Sequence, residues 1–294
     1  MPSLFAQYKS SLKNPFAEEL IDLAFYRPLA FLFVKATLPL PLTPNFVSLL
    51  AMIAGIGAGV ALSAGTAAGF ITGAVLFGLS NILDCSDGMI ARLKKNGTMT
   101  GRIVDGLVDY VAHGAVYLGF AIGMARAVAS HGMELPCNPW ILMIAAGIST
   151  ILHSISSDYY RNAFIRREKR GGGGDDEELR LFSQELARLK SRKGHAVDKV
   201  LISIYLKYLG VQQRKKSTAA PSAEQPAAPM HKVVTPLQAV LWNLIGPSTH
   251  VSFIILAAVL CRPMIFFIFD IGAANIWMIG LFIIQSFVRN KGDR

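Results

Sequence analysis

Asp84-Cys85-Ser86-Asp87-Gly88-Met89-Ile90-Ala91-Arg92 closes an apolar run that begins near residue 69, and Asp105 and Asp109 stand at the head of the next such run, from about 103. Four carboxylates thus fall within 26 residues, inside or at the edge of segments long enough to cross a bilayer. Ionised carboxylates near hydrocarbon are expensive and persist where something compensates them. Four together repel one another, and a divalent cation held by oxygen ligands is the simplest relief. Asp84 and Asp87 are three apart, and Asp105 and Asp109 four apart, so each pair shares a helix face. Asn96-Gly97 between them is a turn signal. Two helices joined by a short turn would bring the two pairs together. Gly88, Ala91, Gly101 and Gly106 are small enough to let backbones, and a substrate, approach closely. With hard oxygen ligands and no His–Cys cluster, Mg2+ fits best, Mn2+ being the alternative. Pairing with Arg92, Lys94, Lys95 and Arg102 would explain a single aspartate, but salt bridges need no glycines and four acids exceed what those bases require.

Working outward, hydrophobic residues make up 52% of 294 while the net charge is +10, and mean hydropathy is +0.43. Apolar spans with basic loops reconcile those values. Six spans of about 20 residues are predicted, near 44–64, 69–91, 103–125, 139–160, 237–260 and 264–288. Residues 16–36 mix Phe16, Leu20, Leu23, Phe25, Leu29 and Phe33 with Glu18, Glu19, Asp22, Arg27 and Lys35, the pattern of a helix lying on the membrane surface. Pro39, Pro41 and Pro44 then end it and start span one. The expected fold is therefore an all-α integral membrane protein: six transmembrane helices behind an N-terminal amphipathic juxtamembrane helix. Residues 1–30 carry charges where the apolar core of a cleavable signal peptide should lie.

Of 29 Lys and Arg, only Arg126 and Arg262 lie in the loops after spans one, three and five. The basic excess on the other side predicts cytosolic termini and a cytosolic aspartate window. The chain divides accordingly: 1–43, N-terminus and surface helix; 44–160, spans one to four; 161–234, a basic cytosolic loop; 235–294, spans five and six with the C-terminus. Within the loop, Arg166–Arg170 is basic, Gly171–Gly174 reads as a linker, and 175–193 and 199–211 as amphipathic helices. Residues 217–230, rich in Ala, Pro and Ser, read as disordered. A basic loop against anionic lipid explains the charge better than nucleic-acid binding. Cys137 and Cys261 both fall near the outer face and are close enough in depth to pair, although single cysteines in spans are commonly packing residues.

The string Asp84-x2-Asp87-Gly88-x2-Ala91-Arg92-x8-Gly101-x3-Asp105-x3-Asp109 resembles the full signature of the CDP-alcohol phosphotransferases. The resemblance implies an integral-membrane, commonly homodimeric enzyme of phospholipid synthesis. It would transfer a substituted phosphate from a CDP-linked donor to an alcohol acceptor and release CMP. It further implies Asp84, Asp87 and Asp105 as metal ligands with Asp109 a fourth contributor, and Asp109 as the general base. Gly88 and Arg92 would contact the CDP moiety, with Ala91 leaving room. Thr98 would offer a hydroxyl to the pyrophosphate, beside Gly101, and Asn45 of Thr43-Pro44-Asn45 would lie near the nucleotide. Leu83–Gly88 and Asp105–Tyr110 look closer to bacterial phosphatidylinositol-phosphate-type enzymes than to glycerol-phosphate ones, which points to CDP-diacylglycerol, inositol phosphate and a bacterial inner membrane.

Outside the motif, Arg161 would bind an acceptor phosphate or mark the membrane boundary, and Asn243 would line an acceptor pocket. His153 and His250 read as interior polar residues, and His113, one turn after Asp109, as a group that tunes it by hydrogen bonding. A soluble CDP-alcohol donor with a diacylglycerol or ceramide acceptor is the alternative chemistry. A cation-coupled transporter would spread its acids over several spans near the midplane; here they crowd at one edge.

Overall fold

Threonine caps recur at the heads of the long helices. Thr43, Thr66 and Thr98 each accept the amide of the residue three places on, at 3.3, 3.1 and 2.9 Å, the arrangement that satisfies an orphan N–H at a helix start. Thr235 and Gln238 form a reciprocal capping box. The computed structural model describes residues 4–12, 18–168, 175–192, 194–218 and 235–292, helices and their connections with no strand among them. The order is α1 (Leu4–Ser11), a π-helical turn (Asp22–Tyr26) running into α2 (Arg27–Thr37), α3 (Pro44–Leu62), α4 (Ala67–Lys94), α5 (Met99–His131), α6 (Pro139–Glu168), α7 (Asp175–Lys190), α8 (Ala196–Thr218), α9 (Pro236–Asn243), α10 (Pro247–Val259), α11 (Met264–Phe267), a π-helical segment (Ile268–Ala273) and α12 (Ala274–Gly292).

Six of these stretches are long and apolar enough to cross a membrane: Pro44–Leu62, Ala67–Lys94, Met99–His131, Pro139–Ile165, Pro236–Val259 and Met264–Phe287. The expected spans are thus present, with differences at their ends. The second and third run several residues further toward the aspartate side, because Thr98 caps α5 immediately after a four-residue turn. That turn takes its left-handed residue at Lys95 (φ 53°), not at Asn96 or Gly97, and the Lys95 amide closes back on Ala91. The fifth span is broken, since Pro247 cannot continue α9 and starts α10 instead.

α3 lies between α4 and α5 and packs extensively on both, whereas α4 and α5 touch each other sparingly. Small residues make this possible. A Cβ at Gly55 would stand 2.5 Å from Ala112 Cβ, one at Gly59 would strike the Ala115 carbonyl, and one at Gly119 would strike Gly59 itself. Without a hydrophobic drive between helices in lipid, such close backbone approach is what holds spans together. Phe70, Phe77, Phe120, Met89 and Met124 fill the core around it. Ile141, Ile144, Ile148, Ile151 and Ile155 remain exposed along one face of α6, a stripe suited to lipid tails.

Where the surface helix was predicted, the structure has the π-turn and α2; residues 16 and 17 of that stretch lie outside the described part, and α1 ahead of it was not anticipated. α7 and α8 match the two amphipathic stretches, with α8 longer than expected. They form a hairpin whose Phe182, Leu189 and Ile202 pack with Met99 and Ile103 at the head of α5. This part of the loop therefore docks on the bundle as well as carrying basic charge. The Gly171–Gly174 linker and most of the stretch read as disordered (219–230) lie outside the described residues; Ser217 and Thr218 end α8. Cys85, Cys137 and Cys261 are all free, so the pairing of Cys137 with Cys261 does not occur.

Candidate active site

Because α4 and α5 diverge around α3, their aspartates meet at one place. Asp84 precedes the end of α4 by ten residues and Asp109 follows the start of α5 by ten, so both lie about 15 Å inside their helix ends. Ligand oxygens of Asp84, Asp87 and Asp105 all lie within 4.8 Å of one another. Asp84 is also within hydrogen-bond contact of Asp109, and Asp87 of Asp105. Four carboxyls therefore converge as two cross-helix pairs, which is costly unless protons or cations sit between them. The set is all hard oxygen, and the spacing of three of them suits one divalent cation.

α3 contributes a group that sequence reasoning missed. Ser48, buried, donates its hydroxyl to Asp87 Oδ2. It lies one turn after Asn45 on the same face, which was the only signal available. Asn45 reaches the opposite helix: a Cβ at Gly101 would meet Asn45 Oδ1 at 2.9 Å and Thr98 Oγ1 at 3.0 Å. Asn45, Thr98 and Gly101 are thus neighbours at the head of α5. Thr98 Oγ1 already accepts the Gly101 amide as the helix cap, leaving its proton free to donate.

Arg92 folds back over Gly88, its guanidinium nitrogens 3.3 and 3.5 Å from where a Cβ would stand. Its Nε donates to the Ser11 carbonyl at 2.5 Å, while Nη2 is buried without a partner. A buried guanidinium N–H left unpaired is costly and marks a place where an anion would fit. Ala91, facing Gly97 across the turn, keeps that side narrow. Arg27 was also missed. It pairs with Glu18 at 2.7 Å and donates to the Cys85 carbonyl at 3.3 Å, bringing a cation beside Asp84.

Other expectations change. His113 Nδ1 contacts the Asp109 main-chain carbonyl at 2.8 Å, not its carboxyl; the i,i+4 spacing on a helix brings that carbonyl within reach first. Arg161 pairs with Asp158 at 2.5 Å at the end of α6. Asn243 is buried with both ends of its amide used, Nδ2 to the Glu18 carbonyl at 3.3 Å and Oδ1 to Ser157 at 3.4 Å. That places it as a tie between α6, α9 and the N-terminal segment. Glu19 reaches the break in span five, accepting the Ser248 and Thr249 amides at 3.3 and 3.1 Å. Burial, then Asp22 beside it, pushes its carboxyl up to about 8.

Comparison with protein families matches residues 41–164 to the one described as CDP-alcohol phosphatidyltransferase. Comparison with individual curated proteins gives no match.

Proposed function

Over residues 41–164 this chain belongs to the CDP-alcohol phosphatidyltransferase family, and from that membership we propose that it moves a phosphatidyl group from CDP-diacylglycerol to a phosphorylated alcohol, inositol phosphate first among them. At the coarser level it is a multi-pass integral membrane enzyme of phospholipid synthesis that takes a CDP-linked donor and an alcohol acceptor.

The convergence of the four carboxyls, with the unpaired Arg92 nitrogen further along α4, carries the reading. The family generally uses a divalent metal, and Asp84, Asp87 and Asp105, with Asp109 as a fourth contributor, would hold it, Mg2+ before Mn2+. Bound there, the cation would neutralise charge on the donor pyrophosphate. The chain's own residues do the rest. Arg92 Nη2 donates to a donor phosphate, and Gly88, lacking a side chain, leaves the CDP moiety room beside it. Asn45 and the Thr98 hydroxyl face the nucleotide and pyrophosphate over Gly101. Ser48 fixes the Asp87 carboxylate. The acceptor hydroxyl oxygen attacks the phosphatidyl phosphorus, the bond from that phosphorus to the bridging oxygen breaks, and CMP leaves with that oxygen. Asp109 takes the hydroxyl proton. Positioned proton transfer of this kind is worth about 10^2–10^4-fold in rate.

Arg161 and the basic residues after it support a phosphate on the acceptor, and the charge asymmetry of the loops supports a site open to the cytosol, in a bacterial inner membrane. The family resemblance alone supports a homodimer, which a mass measurement in detergent tests. The substrate assignment is tested with purified protein, labelled CDP-diacylglycerol, Mg2+ and a panel of alcohols, reading CMP and lipid product. Phosphatidylinositol phosphate should form. Turnover only of a soluble CDP-alcohol with diacylglycerol or ceramide would reverse donor and acceptor.

A further inference from the structure

Three ionisable side chains meet where spans four, five and six come together. His153, His250 and Asp270 are each buried to within 1% of full exclusion. Their ligating atoms all lie within 4.8 Å of one another. The signature takes none of them, and His250 and Asp270 lie beyond the residues the family accounts for.

Hydrogen-bond accounting shows what is missing between them. Asn275 Nδ2 points to Ser149 Oγ at 2.9 Å and to the Asp270 and Ile271 carbonyls at 3.2 and 3.0 Å. Carbonyls only accept, which fixes the amide orientation. Asn275 Oδ1 is therefore the acceptor for His153 Nε2 at 3.3 Å, and that ring nitrogen carries the proton. In the neutral ring this tautomer turns the lone pair of Nδ1 toward Asp270 Oδ1, 3.9 Å away. Thr150 gives its one hydroxyl proton to the same Oδ1 at 2.8 Å, so Tyr117 must donate to Thr150. His250 Nδ1 stands 2.7 Å from Oδ1 without the alignment of a hydrogen bond. His153 Nδ1, both His250 nitrogens and Asp270 Oδ2 are buried without hydrogen-bond partners. So many unpaired polar atoms in a dry interior are strongly unfavourable.

We propose that His153, His250 and Asp270 bind a divalent transition metal of the zinc class, separate from the aspartate site. Two imidazoles and one carboxylate are a donor set for such ions, whereas Mg2+ prefers oxygen alone. The ligand separations of 2.7 and 3.9 Å bracket the roughly 3.3 Å edge of a tetrahedral site with bonds near 2.0–2.1 Å. A second layer is in place: Asn275 holds the far nitrogen of His153, and Thr150 with Tyr117 holds the carboxylate. Such partners orient metal ligands and raise their basicity. The backbone is also adapted. Asp270 sits in the π-helical segment Ile268–Ala273, a departure often found at functional sites, and Asn275 satisfies the carbonyls it disturbs. Bound metal would pin α6, α10 and the sixth span together behind the catalytic helices.

The test uses the full chain in detergent, stripped of metal and reloaded with Co2+. The spectrum of nitrogen-ligated cobalt should appear at about one equivalent per chain, persist in Asp84→Asn, which disables the other site, and vanish in His250→Gln and Asp270→Asn. No such band in the wild type, or an undiminished band in both variants, overturns the proposal. Should the variants not fold, X-ray absorption of the zinc-loaded wild type decides. Imidazole nitrogens around the metal support the site, and an all-oxygen shell overturns it. Neither reading depends on turnover, so this site and the transfer reaction stand or fall separately.

Discussion

Asp109 and Asp84 touch, yet the proposed chemistry gives them different work. Asp109→Asn should lower transfer about 10^2–10^4-fold while donor affinity, read by calorimetry, changes little. Asp84→Asn should weaken donor binding as well. Equal loss of donor binding in both would make Asp109 a fourth ligand and not the base. Ser48→Ala removes one charge-assisted hydrogen bond from Asp87 and should reduce turnover roughly tenfold without loss of fold; an unchanged rate would remove Ser48 from the site. The aspartates were legible because their spacing is local, three and four residues on a helix. Ser48 and Arg27 were not, because they meet Asp87 and Cys85 across 39 and 58 positions. No periodicity encodes such contacts. The contacts of Asn243 were hidden for the same reason. Its polarity inside a span was visible, but its partners, Ser157 and the Glu18 carbonyl, come from elsewhere in the chain.

At the scale of elements, the glycine contacts of α3 and α5 set where the aspartates meet. Gly119→Ala places a methyl against Gly59 and should cost about 1–3 kcal/mol, with a lower melting temperature and lower activity. Gly114→Ala, on the same helix but with nothing within 4 Å, should not. Equal effects would deny the close approach. The six spans were legible from hydropathy, but the wedging of α3 was not, because in the sequence Gly106 and Gly114, which meet nothing within 4 Å, look the same as Gly59 and Gly119. The break in span five was legible from Pro247, while the carboxylate of Glu19 that caps it was not. Glu19 is held protonated by burial up to about 8 against an ordinary 4.5. Folding thus takes up a proton between those values, and stability should fall as pH rises through them, levelling above 8. Glu19→Gln cannot ionise, so its melting temperature should fall less over that range. Asp22, also pushed up by burial, leaves a residual slope. A decline as steep as the wild type's would remove Glu19 from this role.

For the whole molecule, the charge asymmetry of the loops predicts a cytosolic aspartate end. A membrane-impermeant thiol reagent added to intact cells should label Cys137, which is exposed, and miss a cysteine introduced at the exposed Ser183 of α7. Labelling of the second and not the first would invert the protein. The aspartates lie on α4 and α5, and the His153–His250–Asp270 cluster lies on α6, α10 and the sixth span. Transfer should depend on a divalent cation held by the converging carboxyls. CMP release from the CDP-linked donor, measured in excess EDTA and again after Mg2+ is restored, tests it most directly. The account expects no release with the chelator, full recovery with Mg2+, and no recovery in Asp84→Asn, Asp87→Asn or Asp105→Asn that remain folded. Full turnover in EDTA would contradict it.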